Sequence, residues 1–330
     1  MKSTHRNWLL GLGLLVVGAS YVASKNLATV NENEQDLSNN AFKADLIADS
    51  QLVPTQHFVF PKTSLEGNDG SPKQSVYSRM NERKHMFNYA YTACYDTEWN
   101  LPVWVSYHLN ADLLEREYNK RPSGYPKDAQ YPELKSNALS KSGYDHGHLA
   151  PAADFTWSEE AYLQSFLMSN MSPQHGCFNQ KGWCHLEGTV RKWVEECDSC
   201  NAYVVSGAIM NNWIDTLCIN EETKIFVPES YYKVILLQEK NGTSKTIGFI
   251  VPNSDIDNYS IDNYAVTVQE VEKQTQLNFF AFLPPNNQSI KTMLPSMPYY
   301  DKRVSCNNSD CDKIYSRRAT PEDREGLRCD

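Results

Sequence analysis

The sequence predicts a mixed α+β domain with additional segments at both ends, and two observations support this prediction. Short runs rich in β-branched and aromatic residues recur along the chain, and one central segment carries apolar residues at helical spacing. The composition, with 41% hydrophobic and 22% charged residues, fits a folded globular protein. It excludes collagen-like, coiled-coil and wholly disordered chains.

The first β-rich runs predict a hairpin. They are MFNYAYTACYD and LPVWVSYHL, residues 86–96 and 101–109, with a short polar turn between them. Residues 110–143 are charged and contain several Pro and Gly, which is typical of loops. A helix is predicted to begin at Ser158, because its hydroxyl can cap a first turn that carries two glutamates.

A second helix is predicted from an apolar stripe at helical spacing, formed by Trp183, Leu186, Val190, Trp193 and Val194. Further apolar runs predict four strands, over residues 202–210, 231–237, 246–252 and 277–283. A short helix is expected around residues 266–273, before the last of these strands.

The N-terminus predicts a secretory signal peptide over residues 1–24. Lys2 and Arg6 precede the uncharged run WLLGLGLLVVGASYVAS, which ends in small residues near Ser24. The alternative is an uncleaved membrane anchor, but the run has about 15 apolar positions, fewer than the roughly 20 of a membrane span. We therefore expect a secreted or periplasmic protein without stable membrane association after cleavage.

Three further segments complete the predicted organisation. Residues 25–75 are polar and weakly patterned and are expected to form a flexible leader. Residues 76–298 hold the predicted elements and form the domain. Residues 299–330 are a charged extension with three cysteines.

The nine cysteines suit an exported protein that uses structural disulfides. Two other uses are open to them: a redox pair at Cys197 and Cys200, or a zinc set that adds Cys177 and Cys184. Neither has a supporting context, because no thioredoxin-like pattern is present and the spacings match no common zinc finger. Disulfides are therefore the expected use.

The residues that suggest chemistry are concentrated between Gly143 and Arg191. The run Asp145-His146-Gly147-His148-Leu149-Ala150-Pro151 is followed by Asn170-Met171-Ser172-Pro173-Gln174 and by Phe178-Asn179-Gln180. Glu187 and Arg191 are four residues apart and share one helix face. A histidine, an amide oxygen, a carboxylate and a guanidinium together suit phosphodiester hydrolysis, which needs a base, a divalent cation and a phosphate contact.

At these residues the sequence resembles the DNA/RNA non-specific endonuclease family, a branch of the ββα-metal (His-Me finger) nucleases. The family pattern is roughly DRGH-L-A-P, then N-x-x-P-Q, then N-x-x-x-W-x-x-L-E-x-x-x-R. Its last block matches Asn179, Trp183, Leu186, Glu187 and Arg191. With flanking matches, the resemblance covers about residues 85–285. It implies a ββα-metal core on a mostly antiparallel sheet.

The resemblance also implies a role for each matched residue. His148 is expected to be the general base, and Asn179 the side-chain ligand of one Mg²⁺, with Mn²⁺ as a substitute. Glu187 is expected to hold metal-bound water, and Arg191 to bind phosphate. Asp145 is expected to orient the motif.

Taken singly, these residues have simpler interpretations. His148 alone would suit a polar loop or the core, Asn179 a helix N-cap, and Glu187 with Arg191 an ordinary i,i+4 surface pair. The order and spacing of the matching blocks favour the catalytic interpretation.

One position departs from the family pattern, because His146 stands where the family has arginine. Arginine is always charged and binds phosphate with two hydrogen bonds, whereas histidine titrates near pH 6.5. We expect His146 to replace the arginine in part, as a substrate-binding residue, when it is protonated.

The expected partners are DNA and RNA, bound through their backbones with little sequence preference. The net charge of −9 opposes this, but Lys181, Arg191 and Lys192 on the motif helix are expected to make the site locally positive. Two alternatives stay open. One is a related phosphodiesterase or nucleotide pyrophosphatase, and the other is a non-catalytic nucleic-acid-binding relative.

Overall fold

The main element of the fold is a seven-stranded sheet in which all neighbouring strands are antiparallel. The computed structural model describes residues 62–63, 83–115, 118–134, 136–197, 199–219, 223–254, 261–298 and 306. The predicted signal peptide therefore lies outside the described residues. So do the predicted leader, apart from residues 62–63, and the predicted extension, apart from Cys306.

The strands, in chain order, are β1 (Lys62–Thr63), β2 (Arg83–Phe87), β3 (Tyr91–Asp96), β4 (Leu101–Asn110), β5 (Asp145–His148), β6 (Met171–Gln174), β7 (Asn201–Cys218), β8 (Lys224–Gln238), β9 (Ser244–Pro252), β10 (Ala265–Val266) and β11 (Leu277–Asn278). The order in the large sheet is β10-β9-β8-β7-β4-β3-β2. Two small sheets pair β5 with β6 and β1 with β11. The predicted α+β class with a mostly antiparallel sheet is thus confirmed.

The helices are α1 (Ala111–Leu114), α2 (Glu159–Gln164), α3 (Cys184–Glu196) and α4 (Val268–Thr275), with a π-helical segment at Phe178–Trp183. Short 3₁₀ turns lie at Ala152–Asp154, Met168–Asn170, Ile261–Tyr264 and Pro285–Thr292. The predicted cap is confirmed, because the Ala161 N–H donates to Ser158 Oγ at 3.4 Å. Among the helices of the described residues, none is both long enough and apolar enough to cross a membrane.

Strand β8 is buried along residues 231–237 because both faces of the sheet are covered. On one face, α3 packs through Trp193 against Phe249, with ring centroids 6.3 Å apart. On the other face, Tyr232 packs against Phe279, and α4 lies close to Gly248 through Val271. The fold therefore has three layers, with the β5–β6 hairpin on the same face as α3, where Ser172 bonds the Tyr231 hydroxyl.

Most of the predicted strands are confirmed, with shifted bounds. The predicted hairpin is present as β3 and β4, but the run 86–96 also contains the end of β2 and a turn. The predicted strands 202–210 and 231–237 are the inner parts of β7 and β8, which continue together as a long two-stranded extension. The third predicted strand, residues 246–252, is β9, which begins two residues earlier, at Ser244.

The prediction of a strand over residues 277–283 is wrong beyond Asn278. The Phe279 N–H bonds the Glu272 carboxylate at 2.9 Å instead of a neighbouring strand. Phe280 adopts a positive φ of 52°, which bends the chain away from an extended path. Both rings are fully buried, so this run is apolar because it fills the core and not because it extends the sheet.

The structure pairs four cysteines of the described residues, which fits the expected use in disulfides. Cys184, the first residue of α3, is bonded to Cys306, and Cys197 is bonded to Cys200. These pairings use up three of the four cysteines in the alternative zinc set. The first of them ties the predicted extension to the helix that carries Glu187 and Arg191.

Gly207 provides a test of the sheet packing. A Cβ atom there would lie 2.1 Å from the Val103 carbonyl oxygen and 2.6 Å from the Tyr232 hydroxyl. Because the first of these is backbone, Gly207→Ala is expected to lower the free energy of unfolding by about 2–3 kcal/mol, measured by urea denaturation. Gly124→Ala is the control, since nothing lies within 4 Å of that site. Equal stability of the two variants would contradict this packing.

Candidate active site

The candidate site is built on the β5–β6 hairpin, in which Asp145 pairs with Gln174 and His148 pairs with Met171. Gly147 lies between these pairs, where a Cβ atom would come within 2.0 Å of the Gln174 side chain. Gln174 is fully buried, so the close approach requires glycine. The glycine of the motif therefore leaves room for the Gln174 side chain to lie against the strand that carries both histidines.

The side chain of Asn170 fixes the chain immediately after β5. Its Oδ1 accepts a hydrogen bond from the Ala150 N–H at 2.9 Å, and its Nδ2 donates to the carbonyls of Ala150 and Ser165 at 2.8 and 2.7 Å. Asn170 is fully buried. Because both ends of its amide are committed to backbone, Asn170 supports the hairpin structurally.

The π-helical segment brings the second motif residue to the hairpin. Near its start, the side-chain amides of Asn179 and Gln180 both donate to Asp145 Oδ2, each at 2.9 Å. At its end, Trp183 Nε1 donates to the His148 carbonyl at 3.1 Å. The segment is therefore bonded to both ends of β5, and the structure brings together the motif residues that the sequence separates by some thirty positions.

The imidazole of His148 lies in an apolar setting. Its ring meets Phe166 edge to face, with centroids 5.0 Å apart. Its Nε2 is buried and has no hydrogen-bond partner among the described residues. Burial, with smaller contributions from the charges of Arg121 and His146, lowers the pKa of His148 to about 3. His148 is therefore neutral near pH 7, with an unprotonated nitrogen available to accept a proton.

Asn179 has the donor chemistry that a hard divalent cation requires. Its Nδ2 is held by Asp145, and this bond directs the opposite atom, Oδ1, away from the carboxylate. An amide oxygen oriented by a neighbouring hydrogen bond is a suitable Mg²⁺ ligand. Within the described ranges, no group of three or more His, Cys, Asp or Glu side chains could hold a metal ion.

Arg191 is bound to an acid that the sequence analysis did not identify. Its Nη1 donates to Asp154 Oδ1 at 2.7 Å, and the Asp154 side chain is 1% exposed. Burial alone would lower the pKa of Arg191, but the negative charges of Asp154 and Glu187 outweigh it, and the pKa is raised overall. Arg191 is therefore a fixed cation, with one of its nitrogens already occupied.

Glu187 lies on the same face of α3, one turn before Arg191. Burial raises the pKa of its carboxyl to about 7, and the charges of Lys233 and Arg191 act in the opposite direction. The carboxyl is therefore poised between its two protonation states near neutral pH, and nearby positive charge favours the ionised one.

Near neutral pH the His146 ring is neutral in this structure, and its expected role as a substrate-binding cation when protonated stays a prediction. Its ring stacks on Tyr125 at a centroid distance of 4.1 Å, and its Nε2 is buried without a hydrogen-bond partner in the described chain. Burial lowers its pKa to about 4, although Asp145 acts in the opposite direction. A neutral histidine cannot replace the charge of the family's arginine.

Two of the three cations expected to make the motif helix positive are paired with acids. Lys192 pairs with Glu195 and Arg191 with Asp154, and Lys181 is buried. A different cation faces the histidines. The Arg121 guanidinium carbon lies 5.1 Å from the centroid of Phe166, the ring that contacts His148.

Five residues at the site were missed by the sequence analysis: Arg121, Tyr125, Asp154, Phe166 and Lys233. Arg121 and Tyr125 lie in the loop 110–143, which holds several basic residues that the sequence does not distinguish. Asp154 follows the first motif by a few residues, and this proximity is the only signal that pointed to it.

Comparisons with known proteins show that the chain is similar to nucleases. The model of a family described as DNA/RNA non-specific endonuclease matches residues 71–286. Nuclease C1 of Cunninghamella echinulata is 32% identical over 208 residues, which cover 58% of this chain and 80% of the relative. Nuclease EXOG, mitochondrial, of Danio rerio is 30% identical over 250 residues, which cover 72% of this chain and 70% of the relative. Nuclease 1, mitochondrial, of Schizosaccharomyces pombe is 29% identical over 216 residues, covering 61% and 67%.

A solved structure shares the fold. A chain from the crystal structure of the EndoG/EndoGI complex superposes with a TM-score of 0.50, over 65% of this chain and 95% of that one. At 22% sequence identity, this likeness concerns the architecture alone.

The lowered pKa of His146 predicts a pH-dependent stability. The folded-state pKa of His146, about 4, lies below the ordinary 6.5, so the unfolded chain binds a proton more readily than the folded protein does. The contribution of His146 to the free energy of unfolding is therefore fully present above pH 6.5 and is lost as the pH falls toward 4. His146→Phe keeps a ring against Tyr125 but does not titrate. Between pH 6.5 and 4.5 it should lose about 1–2 kcal/mol less unfolding free energy than the wild type, measured by urea denaturation. Stability curves that run parallel over this interval would contradict the prediction.

Proposed function

The chain belongs to the DNA/RNA non-specific endonuclease family. We propose that it is an exported, Mg²⁺-dependent enzyme that hydrolyses phosphodiester bonds of DNA and RNA. The observation that carries the proposal is the position of His148, whose Nε2 has no hydrogen-bond partner among the described residues, on the same strand as Asp145, which orients the Asn179 amide. A base and an oriented oxygen ligand on adjoining elements suit the attack of water on a phosphodiester.

His148 is the proposed general base. A neutral imidazole with an unpaired nitrogen can take a proton from a water molecule as that water attacks phosphorus. The Phe166 ring limits the tilt of the imidazole, and the Trp183 hydrogen bond holds its backbone. His148 is thus oriented for the reaction before substrate binds.

Asn179 is the proposed protein ligand of Mg²⁺, through Oδ1. Bound Mg²⁺ would supply charge neutralisation at the scissile phosphate. Asp145 would keep the amide in position, and Glu187, in its ionised form, would accept hydrogen bonds from water molecules near it. In Arg191, the N–H groups that do not bond Asp154 would donate to a phosphate oxygen.

We propose that Arg121 supplies the positive charge that the family's arginine provides at the position of His146. It is exposed, and its positive charge acts on the hydroxyl of Tyr125, the residue that stacks on His146. A guanidinium beside the proposed base could contact the phosphate backbone without reading the bases. This placement also supplies a positive charge near the site in a chain whose net charge is −9.

The proposed domain spans residues 76–298, and the family match over residues 71–286 supports it. The export proposal is supported by the disulfide between Cys184 and Cys306, because disulfides persist in oxidising compartments. It also depends on the predicted signal peptide over residues 1–24.

The decisive experiment is a digestion assay with supercoiled plasmid DNA, RNA and a chromogenic phosphodiester, each with and without EDTA. We expect cleavage of both polymers and its loss with EDTA. His148→Ala should lower kcat by about 10²-fold or more, and Asn179→Ala should abolish metal-dependent turnover. His108→Asn and Asn241→Ala are the matched controls outside the site. Near-wild-type rates for both site variants would contradict the assignment, and cleavage of the small diester alone would favour the phosphodiesterase alternative.

The role of Arg121 has its own test. Arg121→Ala should lower kcat/KM on DNA by about tenfold, because a charged hydrogen bond to phosphate is worth roughly 1.5 kcal/mol or more. Lys120→Ala removes the adjacent exposed charge and should have a much smaller effect. The measurement is the initial rate at several salt concentrations. Equal losses in the two variants would show that only overall charge matters.

A further inference from the structure

A fully buried lysine lies in the middle of the sheet, on the face that carries the candidate site. Lys233 of β8 is in register with Ser206 of β7 and Phe249 of β9. Its Nζ donates a hydrogen bond to Ser206 Oγ at 2.6 Å. Burying an ammonium group costs free energy unless its surroundings compensate, so packing alone does not account for a lysine here.

Trp183 provides part of that compensation. Lys233 Nζ lies 4.5 Å from the centroid of the Trp183 ring, within the range of a cation–π interaction. Trp183 is 1% exposed, so the contact is shielded from water. The indole N–H of the same side chain donates to the His148 carbonyl at 3.1 Å. One indole thus connects an ammonium on the sheet with the backbone of the proposed base.

The ammonium is the group best able to set the orientation of this indole. The rings of Phe178 and Tyr231 also pack near Trp183, with centroids 5.2 and 6.0 Å away. Aromatic pairs tolerate both offset-stacked and edge-to-face arrangements, whereas a desolvated cation interacts more strongly and favours the face of a ring over its edge. Trp183 also ends the π-helical segment that carries Asn179, so its orientation affects both halves of the site.

We propose that Lys233 is a positioning residue for the cleavage reaction: its ammonium orients the Trp183 indole, whose N–H holds the His148 backbone where the imidazole can act. This inference rests on the proposed function, because it concerns the placement of the proposed base. Small displacements of a catalytic group are sufficient to slow a reaction strongly.

A second route from Lys233 to the reaction runs through charge. Glu187 lies four residues after Trp183, and the positive charge of Lys233 attracts the Glu187 carboxylate. Two variants separate the routes. Lys233→Met removes the ammonium and keeps the length of the side chain, and Trp183→Phe keeps a ring but removes the N–H.

The test is a double-mutant cycle on kcat. Each single variant is expected to lower kcat by roughly 10- to 100-fold with KM within about twofold of wild type. The double variant should be no slower than the slower single variant, because both changes break the same connection. Lys245→Met is the control: it removes one positive charge from β9, where the side chain is 47% exposed, and should leave kcat unchanged. The proposal would be overturned if kcat of the double variant fell by the product of the two single losses. A lower Tm with unchanged kcat in Lys233→Met would overturn it as well.

A spectroscopic measurement keeps this test separate from the proposed function. In ¹H–¹⁵N spectra, the indole N–H signal of Trp183 is assigned by its absence in Trp183→Phe. Lys233→Met should shift that signal, and Lys245→Met should not. If the wild type cleaves no phosphodiester, the proposed function fails, but a shifted signal still supports the contact and an unshifted one refutes it. Should Lys233→Met not fold, Ser206→Ala replaces it, since it removes the hydrogen-bond acceptor of the ammonium.

Discussion

The candidate site depends on the hydrogen bonds that join the β5–β6 hairpin to the segment before α3. Asp145 receives the amides of Asn179 and Gln180, and the His148 carbonyl receives the Trp183 indole. Neither element is large enough to hold a fixed conformation alone, since the hairpin has four residues in each strand. Joined, they place an imidazole and an amide on one rigid unit that rests on the large sheet.

Beneath this unit the protein keeps charges in its interior. Asp154, Glu187, Arg191 and Lys233 supply two negative and two positive groups when all four are ionised, so the set is close to neutral. Buried ion pairs of this kind seldom add much stability relative to apolar packing, because desolvation offsets their attraction. Their benefit is geometric, since each charge restricts the orientation of its neighbours. The raised pKa of Glu187 and the lowered pKa of Lys233 follow from burial, and both shifts are limited by the opposite charges nearby.

The sequence was sufficient to predict the motif residues and most elements, for physical reasons that particular positions make clear. Ser158 caps its helix because the requirement for a cap is local, and Leu186, Val190 and Trp193 reveal α3 because the helical period is local as well. That the blocks holding Asp145, His148 and Asn179 lie together was expected from the order of the motif blocks. Their chemical roles stay predictions.

What the sequence could not provide depends on tertiary contacts. Arg121 differs from other loop cations only because the fold sets it against Phe166, and Lys233 resembles a surface lysine until both faces of β8 are covered. The run after Asn278 has strand-like composition, yet buried loops and buried strands share that composition. The sequence shows the identity of His146 but not its burial, which lowers the pKa of the ring.

The bond between Cys184 and Cys306 spans 122 positions in sequence. In the unfolded chain it closes a covalent ring, which contains the residues that form α3 and β7 to β11 in the folded protein. Such a ring has fewer open conformations than a linear chain, and the entropy model assigns loops of about a hundred residues nearly 5 kcal/mol. A thiol-reducing environment would remove that restriction, so the fraction of folded molecules should differ between an oxidising exterior and a reducing cytosol even though no residue of the site is oxidised or reduced.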